Sequence, residues 1–223
     1  MTADTSGKWL YRIFSFDRLV QLIRTNNWFF AHPSEWDDPY ERRHVSELTD
    51  RIYAQCWCRN GTSDAMWRIY SPDKLGIRIR VNSVVLQDSL SLAAEKQSFQ
   101  FRMKAVDYLN PIEELAYSPP GIDSDIESKS AFLSAGDYLF RKRLAFVHEK
   151  ETRIVIRTSS DTKRAKGQML KLPTNKLIES VLVDPRAPDE FVEAYKALLT
   201  QESGFNARVQ KSQLYREPQK REA

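Results

Sequence analysis

Short apolar runs with polar side chains at their edges recur in three segments of this chain, at residues 9–14, 30–41 and 148–156. Runs of this kind are typical of β-strands, and apolar residues spaced three or four apart elsewhere predict helices. Short strands interspersed with helices predict a single α+β domain over residues 9–213. We expect its sheet to be mixed or split, largely antiparallel and flanked by short helices.

Two segments predict strands within this sheet. Residues 51–58 place Ile52, Ala54 and Cys56 on one face and Tyr53, Gln55 and Trp57 on the other. Both faces are therefore expected to be covered, which predicts an interior strand. Residues 75–81 predict a strand whose isoleucines face inward and whose Arg78 and Arg80 face outward. The sheet is therefore expected to present arginine side chains on an outer face.

Other segments are less regular. Residues 111–130 contain two successive prolines, a glycine and scattered acids, which predicts a long loop or lid. Helical spacing resumes over residues 131–147 and predicts a helix there. Residues 1–8 and 214–223 are predicted to be flexible ends.

The composition favours a reduced protein of the cytoplasm with no membrane segment. The 223 residues include 34 basic and 30 acidic side chains, and the resulting net charge of +4 favours nucleic acid only weakly as a partner. No apolar run reaches membrane-spanning length, and the polar first residues lack the apolar stretch of a secretory signal. Cys56 and Cys58 lie too close together for a low-strain disulfide and are too few for a metal cage. We therefore expect free thiols and a cytoplasmic location.

Arg12 is the first candidate for a binding role. It lies in the apolar run Trp9-Leu-Tyr-Arg-Ile-Phe14, so its guanidinium group should emerge from a strand. The planar fork of donors suits a phosphate or a carboxylate. The alternative is an exposed arginine at the edge of a sheet.

Glu149 and Glu151 form the second candidate. Two residues apart on a strand, both should point to one face while Lys150 points away. Two carboxylates in one pocket can serve as a general base and as a stabiliser of positive charge. The alternative is a pair of solvated acids balanced by Lys150 and Arg153.

Several common chemistries lack their sequence signals. None of the histidines, His32, His44 and His148, has a partner at metal-ligand spacing, so we expect no metal site. Ser34 lies outside any nucleophile elbow, and the chain has no glycine-rich phosphate loop. Serine hydrolase and P-loop chemistry are therefore not supported.

Aromatic and basic clusters each allow two interpretations. Met66, Trp67 and Tyr70 have helical spacing, which indicates core packing, although the polar atoms of Trp67 and Tyr70 also suit a pocket wall. The basic clusters Arg141–Arg143 and Lys163–Lys166 are typical of solvated faces, and a nucleic-acid patch is the alternative.

Taken together, these segments resemble the bacterial family known as domain of unknown function 2971. The resemblance rests on four ordered blocks within residues 9–157. They are Leu10-Tyr-Arg12, Phe29-Phe-Ala-His-Pro-Ser-Glu-Trp-Asp-Asp-Pro-Tyr40, Met66-Trp-Arg-Ile-Tyr70 followed by Gly76-Ile-Arg-Ile79, and Glu149-Lys-Glu-Thr-Arg153. One departure is His148, which stands where the family more often has an aromatic residue before the acids.

A looser resemblance is to the arginine–serine–glutamate pattern of ADP-ribosyltransferases, which implies their split-sheet fold and NAD as the substrate. It implies catalytic roles for three residues. Arg12 would bind the pyrophosphate or the nicotinamide ribose, Glu151 would stabilise the oxocarbenium-like charge, and Glu149 would orient or deprotonate the acceptor.

The same resemblance implies a set of NAD-binding residues and a pocket with aromatic walls. Trp36 is a further candidate for these walls. The set comprises Tyr11, Arg12, His32, Ser34, Trp67 and Tyr70. A nucleic acid or a protein would accept the ADP-ribose. A toxin or anti-phage effector with a neutralising antitoxin is the implied biological setting.

Two further functions stay open from the residues alone. One is a non-catalytic module that binds nucleic acid or a partner through Arg78 and Arg80 and through Arg141–Arg143. The other is a metal-dependent nuclease, in which two acidic clusters would converge on magnesium. Those clusters are Asp37, Asp38 and Glu41, and Glu149 with Glu151.

Overall fold

A nine-stranded, largely antiparallel sheet organises the computed structural model, which describes residues 8–42, 51–110, 137–159, 165–202 and 204–217. The strands are β1 Trp9–Phe14, β2 Asn27–Ala31, β3 Ile52–Cys58, β4 Ile77–Asn82, β5 Phe99–Ala105, β6 Asp107–Leu109, β7 Arg141–Arg143, β8 Glu151–Thr158, β9 Gly167–Lys171, β10 Ile178–Val183 and β11 Arg208–Lys211. The helices are α1 Phe16–Thr25, α2 Pro39–Arg42, α3 Asp64–Tyr70, α4 Ser83–Gln97, α5 Thr174–Leu177 and α6 Asp189–Gln201. Short 3₁₀ helices cover Pro33–Glu35, Asp137–Phe140 and Leu144–Glu149.

The sheet is split at its central strand. β3 pairs along its whole length with β8, which in turn pairs with β5. On its other edge β3 has one residue pair with β1, Tyr11 with Cys58, and one with β2, Ala31 with Ala54. β1 continues into β4, β10 and β11, whereas β2 continues into β9. β1 and β2 therefore diverge, and the sheet opens between them.

The predicted α+β class with a split, largely antiparallel sheet is confirmed. β10 and β11 are parallel, as are β6 and β7 in a separate two-stranded sheet, and the other described pairs are antiparallel. The interior position of β3 is also confirmed. Tyr53 and Trp57 lie in the main core cluster, while Ile52 and Ala54 face a second cluster around Phe140.

Local sequence signals explain where the helices that flank the site begin and end. α1 ends at Asn26, which adopts the left-handed conformation at φ 54° and donates its backbone N–H to Leu22 O. Ser63 caps α3 by accepting the Met66 N–H, and Asn82 caps α4 in the same way. None of the helices in the described ranges is long and apolar enough to span a membrane.

The predicted helix over residues 131–147 is wrong in its described part. Residues 137–149 form two 3₁₀ helices with β7 between them, and residues 111–136, which include the predicted lid, lie outside the described residues. β7 pairs with β6, and its central Lys142 is buried against carboxylates. Helical spacing is a weak local signal, and tertiary contacts such as these override it.

The buried hydroxyl of Thr174 links α1, β2 and α5, on the side of the split away from β4. Trp28 is 1% exposed, and its indole Nε1 donates to Thr174 Oγ1 at 3.0 Å. That hydroxyl donates in turn to Leu22 O at 3.2 Å. If the hydroxyl were removed, the Trp28 indole N–H would lack its partner, whereas Leu22 O would still accept the Asn26 N–H.

We expect Thr174→Val to lower the free energy of unfolding by about 1–3 kcal/mol, because a buried indole N–H would be left unsatisfied. The measurement is urea denaturation followed by tryptophan fluorescence. Thr200→Val is the matched control, since the exposed Thr200 donates only to Lys196 O within α6. Equal effects of the two substitutions would contradict the buried role.

Candidate active site

A cavity of about 270 Å³ opens where β1 diverges from β3. Strands β1, β3 and β4, helix α3 and the start of β8 all contribute to its wall. The lining residues are Tyr11, Arg12, Ile13, Phe14, Arg18, Cys56, Trp57, Cys58, Asn60, Ser63, Met66, Trp67, Tyr70, Arg78 and Glu151. Five of the predicted site residues are therefore in one cavity: Tyr11, Arg12, Trp67, Tyr70 and Glu151.

The strand register explains why Glu151, at the start of β8, reaches this cavity. Tyr11 lies opposite Cys58, and Cys58 lies opposite Glu151. Paired residues of adjacent antiparallel strands project from the same face, so these three side chains form one row across the sheet. The row brings the Glu151 carboxylate to the side of the sheet on which Tyr11 projects.

Arg12 enters the same cavity from the other face. It alternates with Tyr11 and lies opposite the fully buried Ile79, so an unbroken sheet would direct it into the core. Because β1 leaves β3 after a single residue pair, the Arg12 side chain lies in the gap between them. It lines this cavity and also a second cavity between β1 and β2.

The Arg12 guanidinium has no counter-ion among the residues that the structure describes. It makes no hydrogen bond or ion pair with them, and its carbon lies 5.9 Å from the centre of the Phe14 ring. Burial lowers the Arg12 pKa to about 10, an effect that the Cys56 thiol partly opposes. The side chain is half-buried, and an anionic ligand would supply the counter-ion that the described residues lack.

Glu151 is held in place by two buried cations. Its Oε2 accepts a hydrogen bond from Arg153 Nε at 2.7 Å, and its Oε1 accepts one from Lys142 Nζ at 3.1 Å. Burial alone would raise the pKa of Glu151, but Arg153, a hydrogen bond from Glu149 and Lys142 together lower it to about 2. Glu151 is therefore ionised at neutral pH and rigidly oriented.

Glu149 shares this cluster but is absent from the cavity lining. Its Oε2 accepts from Lys142 Nζ at 2.6 Å, and burial together with its hydrogen bond to Glu151 raises its pKa to about 7. The two carboxyl groups therefore share a proton that Glu149 donates. The expectation that both lie on one strand is wrong, because Lys150 adopts φ 44° and only Glu151 belongs to β8.

Glu41 completes the buried cluster from α2. Arg153 Nη2 donates to Glu41 Oε1, and the Lys142 ammonium lies 3.9 Å from Glu41 Oε2. Burial raises the pKa of Glu41, while Arg153 and Lys142 oppose that rise. Trp36 covers the outer side of the cluster, with its ring 4.6 Å from the Arg153 guanidinium carbon. Trp36 thus supports the cluster and is not among the residues that line the cavity.

The predicted residues His32 and Ser34 lie elsewhere in the described structure. His32 is fully buried, and its Nδ1 lies 2.7 Å from Ser34 Oγ and accepts the Ser34 backbone N–H. These bonds cap the 3₁₀ helix Pro33–Glu35. Neither residue lines the cavity, and their proposed contacts with NAD stay predictions.

The same contacts show where the basic and acidic clusters noted in the sequence lie. Lys142 is buried rather than part of a solvated basic face, and Arg143 pairs with Asp38 at 3.0 Å. Of the acidic groups of the nuclease interpretation, Glu41, Glu149 and Glu151 surround the Lys142 ammonium, whereas Asp38 pairs with Arg143 and Asp37 is exposed. Within the described ranges, no group of three or more His, Cys, Asp or Glu side chains could hold a metal ion. His44 and residues 163–164 of the basic segment lie outside the described residues.

Three basic residues of the site were not predicted from the sequence. Arg18 and Arg78 line the cavity, and Arg153 orients Glu151. Arg153 could have been found, because it lies two residues after Glu151 and therefore projects from the same face of the strand. Arg18 could not, since its place depends on how α1 packs beside the split.

The second cavity, of about 280 Å³, lies in the split between β1 and β2. It is lined by Arg12, Phe14, Arg18, Gln21, Leu22, Asn27, Trp28, Phe29, Gln55 and Met169. Arg12, Phe14 and Arg18 line both cavities, so the two spaces meet at a pair of guanidinium groups beside the start of α1.

Comparison with known proteins gives one family match and several distant structural likenesses. Residues 66–154 match the sequence model of a family described as "Protein of unknown function (DUF2971)", which confirms the predicted resemblance for that segment. No curated protein matches the chain.

One of the solved structures found is Thermus sp. 2.9 DarT in complex with NAD+, which is 14% identical in sequence. The match covers 95% of this chain and 98% of that chain, with a TM-score of 0.44. The complex of Thermus sp. 2.9 DarT with ADP-ribosylated ssDNA is also 14% identical, with 95% and 97% covered and a TM-score of 0.43. At this identity and TM-score, the function of the chain has to be inferred from its own residues.

We expect Glu149→Gln to remove a pH dependence of stability that the wild type shows. Between the ordinary Glu pKa of 4.5 and the folded value of about 7, the folded wild type retains a proton that the unfolded chain releases. The wild type should therefore lose stability, relative to the variant, as pH rises through this range and change no further above it. The Gln amide keeps both hydrogen bonds of the protonated acid.

Urea denaturation at a series of pH values measures this difference. Glu95→Gln, at an exposed position of α4, is the control and should follow the wild-type curve. Parallel curves for the wild type and Glu149→Gln would contradict the shared proton.

Proposed function

We propose that this protein is an NAD-consuming enzyme of the ADP-ribosyltransferase type. The observation that carries the proposal is that the unpaired guanidinium of Arg12 and the fixed, ionised carboxylate of Glu151 line one cavity with aromatic walls. A cation without a partner suits the pyrophosphate of NAD. A carboxylate held in a water-poor site suits the positive charge that forms on the ribose when nicotinamide leaves.

The two joined cavities suggest how NAD is bound. The nicotinamide ring and its ribose would occupy the first cavity, where Tyr11, Trp67 and Tyr70 can pack against the ring. Arg12 and Arg18 would bind the pyrophosphate where the cavities meet, and the N-terminus of α1 adds a favourable dipole there. The adenosine half would extend into the cavity between β1 and β2.

Glu151 would act on the bond between nicotinamide and ribose. That bond breaks with its electron pair going to nicotinamide, and the ribose carbon becomes positively charged as the bond lengthens. Glu151 would stabilise this charge and accept a hydrogen bond from the ribose 2′-hydroxyl. A nucleophilic atom of the acceptor then bonds to the same carbon and releases its proton.

Glu149, Lys142 and Arg153 would act through Glu151. Glu149 lies outside the cavity lining and donates its proton to Glu151, so we propose that it positions Glu151 and does not contact the acceptor. Lys142 and Arg153 each occupy one carboxylate oxygen, yet a carboxylate has about four lone-pair sites, so it can accept a further bond from a ribose hydroxyl.

The acceptor in this proposal is a macromolecule, either nucleic acid or protein. The biological setting that we propose for this activity is a toxin or anti-phage effector with a neutralising partner.

We expect Glu151→Gln to lower the rate of NAD consumption by roughly a hundredfold or more, because the amide keeps the shape but loses the charge. Release of nicotinamide from NAD, followed by chromatography, measures the rate, and circular dichroism checks that the variant is folded. Glu193→Gln on the exposed face of α6 is the control. An unchanged rate in Glu151→Gln would refute the role of Glu151.

For Arg12→Lys we expect NAD binding to weaken by about 1–3 kcal/mol, since lysine keeps the charge but loses the two-pronged donor. Titration calorimetry measures the affinity. Arg24→Lys, at an exposed position that pairs with Glu202, is the matched control and should bind NAD like the wild type. If neither the wild type nor Arg12→Lys binds NAD, the proposed function is wrong.

A further inference from the structure

The outer face of β1 and β4 carries aromatic rings and arginines in alternation. Trp9 and Tyr11 project from β1, and Arg78 and Arg80 project from the adjacent β4, with Tyr11 directly opposite Arg80. Residues two apart on a strand are roughly 6.6 Å apart, so the four side chains form a continuous strip. We call these four residues the outer stripe.

Each arginine of the outer stripe is stacked on a ring. The Arg80 guanidinium carbon lies 4.6 Å from the centre of the Trp9 ring, and that of Arg78 lies 4.8 Å from the centre of the Tyr11 ring. Stacking of this kind fixes the guanidinium planes and leaves their hydrogen-bond donors at the rim.

The donors of the two arginines are only partly satisfied. The Nε atoms of both are buried and have no hydrogen-bond partner in the described part of the chain. Arg78 Nη1 donates to Gly61 O, and Arg80 Nε lies 3.3 Å from Glu179 Oε2 as an exposed ion pair. An exposed pair is weak, so an incoming anion can replace Glu179.

The strand register connects the outer stripe to the active site. Successive partners across the sheet form one row: Arg208, Ser180, Arg80, Tyr11, Cys58 and Glu151. The row runs along one face from the edge strand β11, with an exposed Arg208, to the carboxylate of the first cavity. Tyr11 and Arg78 belong both to the stripe and to the cavity lining.

We propose that the outer stripe binds single-stranded nucleic acid and delivers it to Glu151. This inference rests on the proposed function and names its acceptor class. Bases stack on aromatic rings and on guanidinium planes, while phosphates bind the arginine donors, and a half-exposed strip that alternates these groups suits an unpaired strand. An acidic peptide would pair with the arginines but would leave the aromatic rings unused.

The test uses residues of the stripe that do not line the cavity. Trp9→Leu and Arg80→Gln are compared with the wild type, and Arg24→Gln on α1 is the control that removes the same charge elsewhere. Fluorescence anisotropy with a labelled single-stranded DNA of mixed sequence measures binding at several salt concentrations. NAD consumption is measured on the same proteins without acceptor.

We expect Trp9→Leu and Arg80→Gln each to lower DNA affinity by about tenfold or more, and Arg24→Gln to leave it unchanged. The slope of affinity against salt should fall by about one in Arg80→Gln, because one phosphate contact is lost. NAD consumption without acceptor should be unchanged in both stripe variants. Glu151→Gln should still bind DNA.

Three results would overturn the proposal. The first is equal DNA affinity in the wild type and both stripe variants. The second is competition by polyglutamate that is as strong as competition by unlabelled DNA. The third is a loss of affinity in Arg24→Gln equal to that in Arg80→Gln. Failure of the proposed function is distinct: the wild type would not consume NAD, while the stripe variants would still lose DNA affinity.

Discussion

The divergence of β1 and β2 from β3 is the constraint on which the rest of this structure depends. One residue pair joins β3 to each of these strands, whereas seven residues of β3 pair with β8. The strong pairing fixes the position of Glu151, and the two weak junctions leave a gap beside it. In an unbroken sheet the Arg12 side chain would be packed against the core. The gap instead leaves it between two cavities, where it can reach a ligand on either side.

The buried ion cluster explains how a carboxylate can be held beside this gap at low cost. With Glu149 protonated, the cluster contains two carboxylates, Glu41 and Glu151, and two cations, Lys142 and Arg153. Its charges therefore balance, and most of its donors and acceptors are paired, which is the condition under which buried charges are tolerated. The proton on Glu149 thus has a structural reason, since a third negative charge would leave the cluster unbalanced.

Whether the sequence predicted a feature depends on how far apart in the chain the interacting residues lie. The strand β3, and the strand β4 with its outward arginines, depend on neighbouring residues, and they were predicted correctly. The cavity positions of Arg12 and Glu151 followed from their places at strand edges. The helix over residues 131–147 failed in its described part because Lys142 is drawn to carboxylates from distant segments. The resemblance implied NAD contacts for His32 and Ser34, whose side chains bond to each other, and those contacts stay predictions.

Arginines that pair with a carboxylate have a structural role, whereas arginines without such a partner are available to a ligand. Arg153 and Arg143 pair with Glu41 and Asp38 from a distant segment of the chain. Arg186 pairs with the nearby Asp184 and donates to the distant Trp67 O and Ser71 O. Arg12 and Arg18 have no such partner among the described residues, and both lie where the two cavities meet. A net charge of +4 says little about function, because most of the basic residues are offset by acids. Arg12 and Arg18 lie at one junction, and that position, rather than the overall charge, makes the site attractive to an anion.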